Sequence, residues 1–173
     1  MNEPGYRHGM HSTGAATETR AGRAYVVLAG FLAAVAVAAV VGAVGVQGTT
    51  DTYKQLEQPG WAPPSWLFGP VWTVLYVMIG VSGWLVWRRV GWSRELIPYG
   101  VQLLLNAVWT PLFFGSGLRG LALIDIVVLW LAIAWTVWEF RRIRPVAAAL
   151  LLPYWAWVTF ATALNASIWY LNR

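Results

Sequence analysis

The residues able to do chemistry in this chain are indoles, side-chain amides and one carboxyl group. Thirteen tryptophans stand among 173 residues that include no cysteine, two histidines and one lysine. Without cysteine there is no disulfide, no thiolate metal site and no thiol redox switch. His8 and His11 both fall in a polar N-terminal lead, so no imidazole is at hand inside the apolar segments to ligate a haem iron. Lys54 lies between apolar runs, which removes a Schiff base buried within a helix. No metal and no resident cofactor are therefore expected. Asp125 is the one ionisable residue well inside an apolar run, and such residues mark ion or proton paths by default. A pump needs several such groups, so a neutral, hydrogen-bonded or helix-start Asp125 is expected.

Helical spacing groups the remaining candidates. Trp157, Ala161 and Asn165 fall at i, i+4 and i+8, as do Trp72, Tyr76 and Gly80, while Asn106, Thr110 and Phe113 form a similar stripe. Each face mixes aromatic, small and polar residues within an apolar segment. An unpaired amide is costly against lipid, so these faces should point inward.

The elements that must position them follow from composition. The chain is 58% hydrophobic and 11% charged, far short of the roughly 25% charge of soluble domains. Five apolar stretches reach the length of about 20 residues that crosses a bilayer: 24–46, 67–87, 96–117, 121–138 and 146–171. The expected fold is an all-α integral membrane protein, a five-transmembrane-helix bundle over residues 24–173, behind a disordered cytoplasmic tail over 1–23. The first apolar run is too long, and lacks a convincing cleavage site, for a signal peptide.

Orientation comes from counting basic residues. Arg7, Arg20, Arg23, Arg88, Arg89, Arg94, Arg141, Arg142 and Arg144 fall on one side, and Lys54, Arg119 and Arg173 on the other. Nine against three puts the N-terminus in the cytoplasm and the C-terminus outside. Arginines clustered between apolar runs are topology signals, so the basic pI does not imply a nucleic-acid partner. Trp61, Trp66, Trp84, Trp87, Trp92, Trp138 and Trp169 fall near predicted membrane boundaries, where indoles are favoured.

With that topology, Trp72, Asp125 and Asn165 lie four to seven residues from the outer ends of their helices, about 6–11 Å deep. Above them runs loop one, residues 47–66, rich in Pro and aromatic residues. This arrangement reads as a roofed pocket, and equally as a hydrogen-bonded layer clamping the helices. Gly30, Ala34, Ala38 and Gly42 repeat every four residues, a row suited to packing within the monomer or to a homodimer seam.

Four segments carry a resemblance: WAPPSWLFGPVWTVLY at 61–76, LLLNAVWTPLFFG at 103–115, ALIDI at 122–126 and PYWAWVTFATALNASIW at 153–169. In order and position they resemble the tryptophan-rich TspO/translocator (peripheral benzodiazepine receptor) family, over nearly all of the chain beyond the N-terminal lead. The resemblance implies a homodimeric five-helix bundle with a pocket roofed by loop one. It also implies binding of porphyrins such as protoporphyrin IX and, in animal relatives, of cholesterol and synthetic benzodiazepine or isoquinoline ligands. Residues matching the family's pocket are Tyr53, Trp61, Trp72, Asn106, Thr110, Phe113, Trp157 and Ala161. The animal sterol pattern matches less well. Ala166 follows Asn165 where that pattern has Tyr, and Tyr170 stands where Arg is common. A loose sterol match through Leu164, Tyr170 and Arg173 is too permissive to carry weight.

The expected function is a membrane receptor or transporter-like protein for porphyrins, acting in tetrapyrrole handling or stress signalling in a bacterial cell membrane. One alternative is a light-dependent porphyrin-degrading enzyme, with Trp72 and Trp157 as its catalytic indoles. The other is a structural or assembly subunit with a vestigial pocket.

Overall fold

The structure is a computed structural model; it describes the backbone of residues 12–44 and 50–173, and side chains over 22–41 and 53–173. Residues 1–11 and 45–49 lie outside the described residues, as do the surroundings of residues 12–21, 42–44 and 50–52, among them the Gly42 position of the α1 row. The chain forms α1 (Ser12–Val44), the short α2 (Thr50–Gln55), α3 (Phe68–Val90), α4 (Ile97–Thr110), α5 (Arg119–Ile143) and α6 (Pro145–Leu171). The backbone of α1 starts at Ser12, ahead of the span expected from Ala24.

Five helical stretches are long and apolar enough to cross a membrane: Gly22–Val41, Ser65–Val90, Arg94–Gly115, Arg119–Ile143 and Pro145–Leu171. Helices meet the bilayer's central demand because each satisfies its own backbone N–H and C=O groups. The fourth span reaches Ile143, beyond the expected end at Trp138. Its last turns carry Arg141 and Arg142, whose guanidinium groups lie 3.6 and 4.8 Å from the Trp138 ring centroid.

The five long helices close into a ring. α1 packs on α3 and α4, α3 on α6, α6 on α5, and α5 on α4. Valines, leucines and isoleucines such as Val74, Val77, Leu104, Ile124 and Leu131 face outward, whereas Ser82, Gln102, Asn106, Thr136 and Asn165 are buried. This inversion of the soluble pattern is what lipid selects, since a polar side chain finds partners only inside the bundle.

Close approach of α1 to α3 depends on two glycines. A Cβ on Gly83 would sit 2.7 Å from Tyr99 and 2.9 Å from Phe31, and one on Gly80 would sit 2.7 Å from Leu32. Gly80, placed by spacing on the Trp72 face, thus packs against α1. Two hydrogen bonds pin α3 in place: Trp84 Nε1 donates to the Ala24 carbonyl at 2.9 Å and Ser82 Oγ to the Ala147 carbonyl at 2.7 Å. In the α1 row, Gly30 and Ala34 are exposed while Ala38 is buried within the monomer.

Pro111 shapes the end of α4. Its missing N–H interrupts the α-helical ladder, and the chain continues as a π turn over Pro111–Gly115, in which the Ser116 N–H donates to the Pro111 carbonyl at 3.0 Å. That turn shifts the register of Phe113 and Phe114 relative to Asn106. Gly117, at φ +66°, then redirects the chain into α5.

Candidate functional site

Loop one is built onto the bundle by specific contacts. The buried Tyr53 ring meets Phe68 edge-on at 5.6 Å, and its hydroxyl donates to the Pro63 carbonyl at 3.3 Å. Burial pushes the Tyr53 phenol above its ordinary value. Gln58 Nε2 donates to the Tyr53 carbonyl, and the Ala62 N–H closes a turn on the Pro59 carbonyl at 2.9 Å. From the far end of α6, Asn172 grips the loop backbone: its Oδ1 accepts from Glu57 N–H at 3.0 Å and its Nδ2 donates to the Glu57 carbonyl at 2.9 Å.

Beneath this roof, aromatic rings form an unbroken chain. Trp61 meets Phe160 at 5.6 Å, Phe160 meets Trp157 at 5.4 Å, and Trp157 meets Phe68 at 5.9 Å. Phe68 leads through Tyr53 to Phe114 at 6.3 Å, then to Phe113 at 4.8 Å and Trp109 at 5.4 Å. All these spacings fall in the range of favourable aromatic pairs. Trp157 Nε1 is buried and has no hydrogen-bond partner among the described residues, a costly state for a donor.

One turn further along α3 the site becomes polar. Trp72 lies 5.1 Å from Tyr76 and 6.1 Å from Tyr154. The Tyr76 hydroxyl donates to Asn106 Oδ1 at 3.0 Å, Asn106 Nδ2 to Tyr154 Oη at 3.4 Å, and the Tyr154 hydroxyl to Gln102 Oε1 at 2.9 Å. Each member thus satisfies the next, linking α3, α4 and α6. The ladder ends at Gln102 Nε2, buried with no partner among the described residues.

The residues expected from sequence divide between these two groups. Tyr53, Trp61, Phe113 and Trp157 belong to the ring chain and Asn106 to the polar ladder, while Trp72 lies against the ladder's two tyrosines. Ala161 is buried one turn beyond Trp157, and Thr110 is half-buried at the last residue of α4. Asn165 belongs to a clamp: its Oδ1 accepts from Trp109 Nε1 at 3.2 Å and its Nδ2 donates to the Arg119 carbonyl at 3.2 Å. Asp125 Oδ2 is buried and unpartnered among the described residues, so of the neutral, hydrogen-bonded or helix-start states expected, the hydrogen-bonded one is not seen at that oxygen.

Six contributing residues, Phe68, Gln102, Trp109, Phe114, Tyr154 and Phe160, lie outside the expected set. Phe68 and Phe160 stand four residues before Trp72 and three after Trp157, so helical spacing could have found them. Tyr154 stands three before Trp157 and Gln102 four before Asn106, with the same signal. Trp109 and Phe114 stand three and eight residues after Asn106, again with that signal, although the π turn lies between Asn106 and Phe114.

Five membrane-crossing helices closed in a ring, with aromatic rings and buried amides packed under a folded loop, define a helical membrane protein. The TspO/MBR family model matches residues 30–171. The chain is 41% identical to the human (Homo sapiens) translocator protein over 126 residues, covering 70% of this chain and 75% of that one. It is 42% identical to the tryptophan-rich protein TspO of Chlorobaculum tepidum over 142 residues, covering 75% of this chain and 89% of that one. Against the tryptophan-rich sensory protein of Cereibacter sphaeroides it is 37% identical over 142 residues, with coverage of 82% and 89%. The chain belongs to the TspO/MBR family.

Proposed function

We propose that this protein is a receptor or transporter-like membrane protein that binds porphyrins beneath loop one, in tetrapyrrole handling or stress signalling. The carrying observation is the ring chain from Trp61 to Trp109, which includes a buried indole N–H on Trp157 with no partner among the described residues. Such rings suit a flat, apolar macrocycle held by stacking, and they require no axial imidazole. Titrating the purified protein with protoporphyrin IX should quench tryptophan fluorescence saturably, with haem, cholesterol and an isoquinoline or benzodiazepine ligand as comparison arms. If no porphyrin quenches, the reading is wrong, and a structural or assembly role takes its place.

A second reading, light-dependent porphyrin breakdown, is favoured by the oxidisable rings grouped around Trp72, with Tyr76 and Tyr154 both near it. Illuminating the bound complex and analysing the products separates the two readings: an intact porphyrin means binding alone. In our reading the end bearing Arg88, Arg89, Arg141 and Arg142 faces the cytoplasm of a bacterial cell. Single cysteines at Arg89 and Lys54 should then label from opposite sides of the membrane. A homodimer would use the exposed Gly30 and Ala34 face of α1. Ala34→Trp should shift the detergent-solubilised mass to that of a monomer, and an unchanged mass would discard that seam.

A further inference from the structure

At the end of the bundle that carries loop one, an open depression of about 440 Å³ lies between the start of α5 and the end of α6. The segment Gly117–Leu121 forms one wall, and Trp169, Asn172 and Arg173 form the other; none of these residues is acidic. Arg119 Nε is buried without a partner among the described residues, and the Arg173 guanidinium lies 4.2 Å from the Tyr170 ring centroid and 5.9 Å from that of Trp169. Among the described residues the one ion pair is Arg94–Glu95, on a different loop, so neither guanidinium is paired with a side-chain carboxylate. Trp169 Nε1 rests against the first turn of α5, where a Cβ on Gly120 would lie 3.3 Å from it. In that turn the Arg119 and Ala122 N–H groups bond back to Gly117 and Leu118, while Gly120 and Leu121 have no such backbone acceptor among the described residues. The side chain of Asn172 adds wall rather than donors, because its amide is taken up by Glu57 and Ile168.

Two unpaired guanidinium groups beside a helix start suit a phosphate, whose oxygens accept several charge-assisted hydrogen bonds. The surroundings distinguish a lipid from a free ion. Leu121, Ile124 and Val128 are exposed at i, i+3 and i+7 along α5, one apolar stripe running from the depression along a membrane span. We propose that the depression seats the phosphate headgroup of an anionic lipid, with an acyl chain lying along that stripe. This site is separate from the aromatic interior and does not depend on what binds there.

Native mass spectrometry of the full chain, incubated with equal phosphatidylglycerol and phosphatidylcholine, tests this directly. The wild type should retain phosphatidylglycerol in preference. The Arg119→Gln/Arg173→Gln variant should retain about tenfold less, on the scale of one lost charge-assisted bond, while Arg94→Gln matches the wild type. Should the double variant fail to fold, Arg173→Gln alone should still lower retention several-fold. Equal retention of the two lipids, or unchanged phosphatidylglycerol retention in the arginine variants, overturns the proposal. Displacement of the lipid by excess inorganic phosphate would overturn the lipid as the source of the anion.

Discussion

The two halves of α3 are built for opposite purposes. From Ile79 to Val86 the helix is fitted against its neighbours: Ile79, Ser82 and Val86 are fully buried, and Gly80 and Gly83 let α1 approach to where a methyl group would clash. From Phe68 to Tyr76 the same helix carries large rings that remain half-buried and meet their neighbours edge-on or tilted. Small residues fix a helix pair at close range, whereas large rings meet their neighbours at the wider spacings of aromatic pairs. One half fixes α3 against α1, and the other presents rings to loop one and α6.

The largest test of that contrast lies at the tight end. Gly83→Val would drive a branched side chain into Tyr99 and Phe31, and should cost about 3 kcal/mol by overpacking, read as thermal unfolding in detergent. A small shift would mean that α1 can move away, and the contrast would weaken. Next comes the polar ladder. Asn106→Leu strips partners from Tyr76 and Tyr154 and should cost about 2 kcal/mol by leaving buried hydroxyls unmade; Asn106→Gln should recover part of it.

At the open end, effects should fall on ligand more than on stability. Trp72→Phe and Trp157→Phe each keep most of the apolar bulk and should lose on the order of 1 kcal/mol of porphyrin stacking. That is several-fold in Kd by titration, since 1.4 kcal/mol is about tenfold. Any light-driven degradation should collapse much further, because Phe resists oxidation. Full-rate degradation by the double variant would make both indoles packing residues. Asn172→Ala should release loop one from α6 at about 1 kcal/mol, seen as faster hydrogen exchange at Glu57 with the spans unchanged.

The smallest effect should be a pH dependence of the same loop. Burial raises the Tyr53 phenol above 10.0 in the folded protein. The neutral ring therefore favours the docked loop below pH 10, and as pH rises beyond that the open form ionises first and docking weakens. Hydrogen exchange in loop one should accelerate above pH 10, and Tyr53→Phe should flatten that rise. An identical profile in the variant would assign the alkaline loosening to another group.

Sequence alone settled what lipid and helix geometry enforce. Five apolar runs of spanning length had to become five helices, because no other single-segment structure satisfies its backbone in hydrocarbon. Amides within those runs had to turn inward, as Asn106 and Asn165 do. The family resemblance and the helical stripes together reached Trp72, Asn106 and Trp157. Tertiary structure decided the rest, because it depends on distances between helices that no periodicity encodes. Spacing put Asn165 and Gly80 on the faces of Trp157 and Trp72, yet Asn165 is held by Trp109 and the Arg119 carbonyl, and Gly80 lies against Leu32 of α1. Phe114 meets Tyr53 from within the π turn that follows Pro111, a contact set by where loop one folds onto the bundle. The grip of Asn172 on Glu57 joins residues 115 apart in sequence; both are ordinary polar surface residues until the helix ring closes and sets them side by side.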